Sequence, residues 1–99
     1  MQDNLSQYGH TFQTKVITSL LNDRSFLQQV SDIIDSTYFE SQANNWIVTR
    51  IMAYYEKYRT APTAEVFKSE LIMVEDKVLK STIVDALKES AKYKDSSDA

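Results

Sequence analysis

The chain has no cysteine, one glycine and one proline in 99 residues. The first absence excludes a disulfide framework and a thiolate metal site, and suits a cytosolic protein. The scarcity of the other two argues against a turn-rich β fold, because tight turns draw on Gly and Pro. Long apolar runs are missing too, so no segment is long enough to span a membrane. The N-terminal MQDNLSQYGH lacks the basic start and apolar centre of a signal peptide. Positive charge is also short. A net charge of −3 and a pI near 5.0 leave no global footprint for a phosphate backbone, so direct nucleic-acid binding is not expected.

What is present is ordinary for a globular chain: 42% hydrophobic and 25% charged residues, enough for one domain with a modest core. The stretch that organises it is 43–59, ANNWIVTRIMAYYEKYR. At 3.6 residues per turn, Ala43, Ile47, Ile51, Tyr54 and Tyr58 form one stripe. Val48, Met52 and Tyr55 widen it on one side, and Trp46 and Ala53 lie on the other. Only Asn45, Thr49 and Glu56 make a polar strip. A helix apolar around so much of its circumference is packed on several sides, which makes this the central helix.

Around it the chain divides into a flexible polar arm over 1–9, a helical domain over 10–93, and a disordered tail or start of a linker over 94–99. Thr11 is expected to cap a first helix running to about Leu21, with Phe12, Val16 and Leu20 in one inward row, Ile17 and Leu21 beside it, and Thr14, Lys15, Thr18, Ser19 and Asn22 outward. Ser25 followed by Gln28 reads as a capping box opening a second helix. Its Phe26, Leu27, Val30, Ile33 and Ile34 share one narrow face, and Asp35-Ser36-Thr37 ends it. Tyr38-Phe39 is expected to plug the core from a loop or short 3₁₀ turn. The central helix ends before Pro62, and Thr63 caps a short fourth helix carrying Val66, Phe67 and Leu71 inward to about Ile72. Glu75-Asp76 is either a turn or the acidic first turn of a fifth helix, with Leu79, Ile83, Ala86 and Leu87 buried, to about Tyr93. The fold class expected is all-α, a compact orthogonal bundle of about five helices.

No active site emerges. His10 is the sole histidine and sits at the edge of a polar arm, where a solvated role is the simpler reading. Nucleophile elbows and phosphate loops have no matching motif. Asp32 and Asp35 are spaced to share a cation, but a solvated helix face running into a cap explains them as well. Catalytic, cofactor-binding and metal residues are therefore none.

The tyrosines and Trp46 suit base stacking only if cations track a backbone, and here the acidic total dilutes Arg50, Lys57 and Arg59. Their surplus matters in another way. Trp46, Arg50, Ala53 and Lys57 line one accessory stripe of the central helix, and Val48, Met52, Tyr55 and Arg59 line another. Either the first and last helices cover both stripes, or one stays open for association. Trp, Tyr, Met and Arg are enriched at interfaces, so Trp46, Arg50, Lys57, Met52, Tyr55 and Arg59 are the candidate interface residues.

The order of features resembles a known family. An amphipathic FQTKVITSLLND leads to a helix ending in DSTYFES; the long NNWIVTRIMAYYEKY is followed by RTAPTAEVFKSEL. This is similar to the N-terminal domain of DnaB-type replicative helicases, particularly the divergent versions of large tailed phages. The match spans roughly Thr11 to Leu71, and its motifs are packing motifs. Thr18 and Ser19 stand where bacterial members often have two glycines, and the histidines usual near the start of the central helix are absent. The resemblance implies a DnaB-helicase N-terminal-domain-like fold and a non-catalytic collar role. It implies self-association into a dimer or ring collar, contact with a primase or helicase loader, and residence in a bacterial or phage-infected cytoplasm. ATP and Mg would belong only to a motor domain, which these residues do not include, and neither do they include the family's helical hairpin. The alternative is a stand-alone helical adaptor that binds a replication protein.

Overall fold

The computed structural model describes residues 9–39 and 41–97, with side chains described to Lys92; most of the polar arm and the last two residues lie outside this range. Five helices follow in order: α1 (His10–Asn22), α2 (Arg24–Val30), α3 (Gln42–Tyr58), α4 (Ala64–Leu71) and α5 (Lys77–Ser97), with a 3₁₀ turn at Ser36–Tyr38 before α3. Among the described residues there is no strand. The Cα radius of gyration, 12.9 Å, is that of a compact chain of this length.

Local chemistry explains most boundaries, though not always through the residues expected. Gly9, not Thr11, stands at the N-cap of α1, at φ 90° and ψ 165°. That backbone region is open essentially to glycine alone, so the helix starts immediately after it. Asp23 both ends α1 and opens α2. Its N–H donates to the Ser19 carbonyl at 2.8 Å, and its carboxylate accepts from the Phe26 N–H at 3.0 Å. The cap is therefore Asp23 and not the Ser25–Gln28 box, because an aspartate two residues earlier already reaches the free N–H groups.

Helix α2 stops at Val30, earlier than the apolar spacing suggests. Leu27 is buried and Phe26, Val30 and Ile34 are half-buried, but Ile33, beyond the last helical turn, is exposed. Asp35 then accepts from the Thr37 N–H at 2.9 Å, and Phe39 follows fully enclosed, the aromatic plug expected of this connection. Asn45 ties the turn to α3 by donating to the Ser36 carbonyl at 2.8 Å.

Helix α3 is capped by Ser41, whose hydroxyl accepts from the Asn44 N–H. Its far end is closed by Arg59 in a left-handed conformation, φ 61°, with its N–H donating to the Tyr55 carbonyl at 2.7 Å. Glycine usually occupies such a position, and an arginine there stores backbone strain. Thr63 caps α4 as expected, accepting from the Val66 N–H at 3.4 Å. Asp76 settles the boundary before α5, accepting from both the Val78 and Leu79 N–H groups. That helix runs to Ser97, four residues beyond the expected stop at Tyr93.

The core is Ile17, Leu20, Leu27, Phe39, Ala43, Ile47, Val48, Ile51, Tyr55, Phe67 and Ile83. Helix α1 packs most extensively on α5, and α5 in turn on α3. Six positions of α3 are buried, Ala43, Asn44, Ile47, Val48, Ile51 and Tyr55, so one broad face of the central helix is covered by its neighbours. Tyr58 leaves that face because the helix ends there, and it is 53% exposed.

Candidate interaction surface

Three features of the described residues bear on function: a polar seam between α1 and α5, a shallow pocket beside it, and exposed apolar side chains from the end of α4 to the first turn of α5.

The seam corrects the expected orientation of α1. The buried positions are Gln13, Thr14, Ile17 and Leu20, while Phe12 is 42% exposed. The helix is turned towards its threonines because α5 presents small groups there. Ser90 is buried, and the Thr18 hydroxyl shares its single proton between the Thr14 carbonyl of its own helix at 2.9 Å and the Ser90 carbonyl at 3.1 Å. The Thr14 hydroxyl lies 3.1 Å from the His10 carbonyl and 3.3 Å from Glu89 Oε1, and donates its single proton between them. Glu89 Oε1 also meets His10 Nε2 at 2.8 Å. Deeper in, the Asn44 amide donates to Gln13 Oε1 at 3.4 Å, joining α3 to the seam. Small hydroxyl side chains let two helices approach closely while their polar atoms stay bonded. The sole histidine is thus one end of this seam, paired with a carboxylate and 63% exposed at its side chain.

An open pocket of about 380 Å³ adjoins the seam, lined among others by His10, Ser41, Asn44, Asp85, Lys88 and Glu89. Its charges are mixed in sign, and its acidic groups already have bonded or solvated surroundings. Among the described residues no group of three His, Cys, Asp or Glu side chains is placed to hold a metal ion. Asp32 is exposed, and Asp35 is engaged with Thr37, whose backbone N–H and hydroxyl hold its carboxyl below the ordinary aspartate value. No described helix is long and apolar enough to cross a membrane.

The candidate interface residues fall into two sets. Met52 is half-buried against the core and Tyr55 is 8% exposed, so the Val48–Met52–Tyr55 stripe is interior up to its last member. Arg59, at that end, is exposed with its guanidinium 5.6 Å from the centre of the Tyr55 ring. On the other stripe, Trp46 is half-buried and its ring lies 6.3 Å from that of Phe67 on α4. Arg50 stacks over Trp46 at 5.8 Å, with an enclosed Nε that has no hydrogen-bond partner. Lys57 is exposed, 5.3 Å from the Tyr58 ring. The free members of both stripes are therefore gathered at the C-terminal end of α3.

The largest exposed apolar side chains lie elsewhere. Ile72 and Met73, in the link between α4 and α5, are 76% and 80% exposed, and Val78, in the first turn of α5, is 77% exposed. Sequence periodicity missed them: Ile72 reads as the continuation of a helix that in fact stops at Leu71, and Val78 as part of an ordinary first turn. The only signal was the unbroken apolar run LIMV at 71–74 where a helix-ending turn must fall.

Comparison with known proteins adds no relationship: no protein-family model, curated protein or solved structure matches the chain.

Proposed function

We propose that the chain is the non-catalytic N-terminal collar domain of a phage-type replicative DNA helicase, supporting hexamer assembly and docking of a primase or loader. The supporting observation is the order of packing elements around α3. A 3₁₀ turn delivers Phe39 into the core, the long central helix follows, and the chain restarts at Pro62-Thr63 into a short helix. The sequence resemblance rests on those same residues. Pro62 is buried, so the restart belongs to the packed domain and is not a solvated linker. On this reading nucleotide and magnesium act in a motor domain elsewhere in the protein, and the chain works in a bacterial or phage-infected cytoplasm.

The test has two arms. The parent reading frame should continue into a Walker A motif, and the domain should co-elute with the primase encoded beside it. A frame with no motor domain, together with no complex at any concentration tested, would sink the reading. The second reading, a stand-alone adaptor for a replication protein, is favoured by the exposed Ile72, Met73 and Val78, which suit a docking module with or without a motor. A frame that stops near Ala99, with a complex still formed, would select it. DNA affinity that falls steeply with salt would instead favour direct nucleic-acid binding over both.

A further inference from the structure

Helix α4 is attached to the rest of the fold in a way that no other long element shares. Helices α1, α3 and α5 are tied across to their neighbours by side chains: Thr18 to the Ser90 carbonyl, Asn44 to Gln13, Asn45 to the Ser36 carbonyl. Among the described residues, the hydrogen bonds of 63–74 stay within that segment, from Val66 and Phe67 back to Thr63 and from Met73 and Val74 back to Glu70 and Leu71. Its one ion pair, Lys68 with Glu65 at 3.7 Å, is internal and exposed. What holds the segment is apolar contact alone: Phe67 is buried with its ring 6.3 Å from that of Trp46, and Leu71 and Val74 pack beside the core.

That contact is also imperfectly satisfied. Arg50 lies over the Trp46 ring at 5.8 Å, and its Nε is enclosed without a hydrogen-bond partner. Glu70 follows Phe67 by three residues, on the same side of α4, and its Oε1 is likewise enclosed and unpartnered. No ion pair joins the two residues. An enclosed polar atom of a charged group loses its hydration with nothing in return. Moving α4 away would uncover apolar surface at Trp46 and Phe67, but it would return both of these atoms to water, which offsets part of that loss.

We propose that α4 is a flap, opening from Trp46 as a unit while α1, α3 and α5 stay folded. Its hinges are the irregular links at 59–63 and 72–76. The first begins at Arg59, held at φ 61° in the left-handed region, so the link already carries backbone strain that opening can release. Segments with few ties and exposed surroundings are the ones that open below the cost of global unfolding. The open state presents the Trp46 indole and the Arg50 guanidinium to solvent. The flap needs neither a motor domain nor a primase, so it stands or falls separately from the helicase reading.

Native-state hydrogen exchange of the purified chain across a denaturant series tests it. The Phe67–Leu71 amides should exchange roughly tenfold or more faster than those of Ile47–Ile51, with a shallow denaturant dependence, because a local opening exposes little surface. Acrylamide should quench Trp46, the sole tryptophan, at denaturant concentrations where α3 amides remain protected. Glu70→Leu removes the enclosed carboxylate and should slow exchange across Phe67–Leu71 without changing α3. Glu65→Leu, on the exposed side of the same helix, should not slow it. Exchange of α4 with the same rate and the same denaturant slope as α3 would overturn the proposal. So would a Glu70→Leu variant whose α4 amides exchange as fast as the parent's, or no more slowly than those of Glu65→Leu.

Discussion

The α1–α5 seam and the outer helix α4 handle burial in opposite ways. In the seam, polar side chains go inside: Thr14, Asn44, Gln13 and Ser90 are all buried, and hydroxyls and amides find partners across the helices. Around α4, apolar side chains stay outside, and Phe67 against Trp46 is the main anchor. Polar atoms inside are tolerable when each is bonded, and then they fix how two helices register. Apolar atoms outside lower the stability gained from folding and are retained where something else covers them. One region satisfies its polar atoms within the chain, and the other leaves large apolar side chains in solvent.

Phe67 is the one fully buried residue of α4, with Leu71 packed beside the core, so removing the Phe67 ring should have the largest effect. Phe67→Ala is expected to cost about 3–5 kcal/mol in chemical denaturation, as for other buried aromatics. Amide exchange across Ala64–Leu71 should accelerate more than in α1 or α3; equal acceleration everywhere would show that α4 is not a separately held element. Ile51→Ala strikes the shared core from the central helix, where Ile51 is 0% exposed, and should cost about 2–5 kcal/mol. Here exchange should rise throughout the domain, the contrast that defines the two regions.

The seam is subtler. Thr18→Val keeps the shape and removes the hydroxyl bonded to the Ser90 carbonyl, for a loss of about 0.5–1.5 kcal/mol. A variant as stable as the parent would mean that packing of small groups, not hydrogen bonding, holds α1 to α5.

The smallest effect belongs to Asp35, outside both regions. The Thr37 backbone N–H, and then its hydroxyl, lower its carboxyl in the folded chain. A carboxyl lowered on folding contributes stability that is present above its unfolded value and lost as pH falls through the folded one. Asp35→Asn should therefore lower stability slightly at neutral pH and leave it nearly unchanged at the acid end, which flattens the acid limb of the stability–pH curve. An unaltered acid limb would show that the cap is energetically idle.

Much of the helical order follows from the sequence itself. The positions of α3 and α4, the Thr63 cap and the Phe39 plug are local matters: period, capping chemistry and a proline decide them within a few residues. Where a second local signal competed, as Asp23 did with Ser25, the boundary moved by a residue or two. The orientation of each helix is different in kind. Ile17 and Leu20 of α1 are buried as their spacing implies, but Phe12 and Thr14 lie at the edges of that face, and only the small, polar side of α5 lying against it brings Thr14 in and leaves Phe12 out. Likewise Val48 and Tyr55 become core while Lys57 and Arg59 stay at the surface, because neighbouring helices cover one part of α3 and end before the other. The exposure of Ile72, Met73 and Val78 was decided the same way. Hydrophobicity states what a residue gains from burial, but only the arrangement of the other helices determines whether a neighbour is there to bury it.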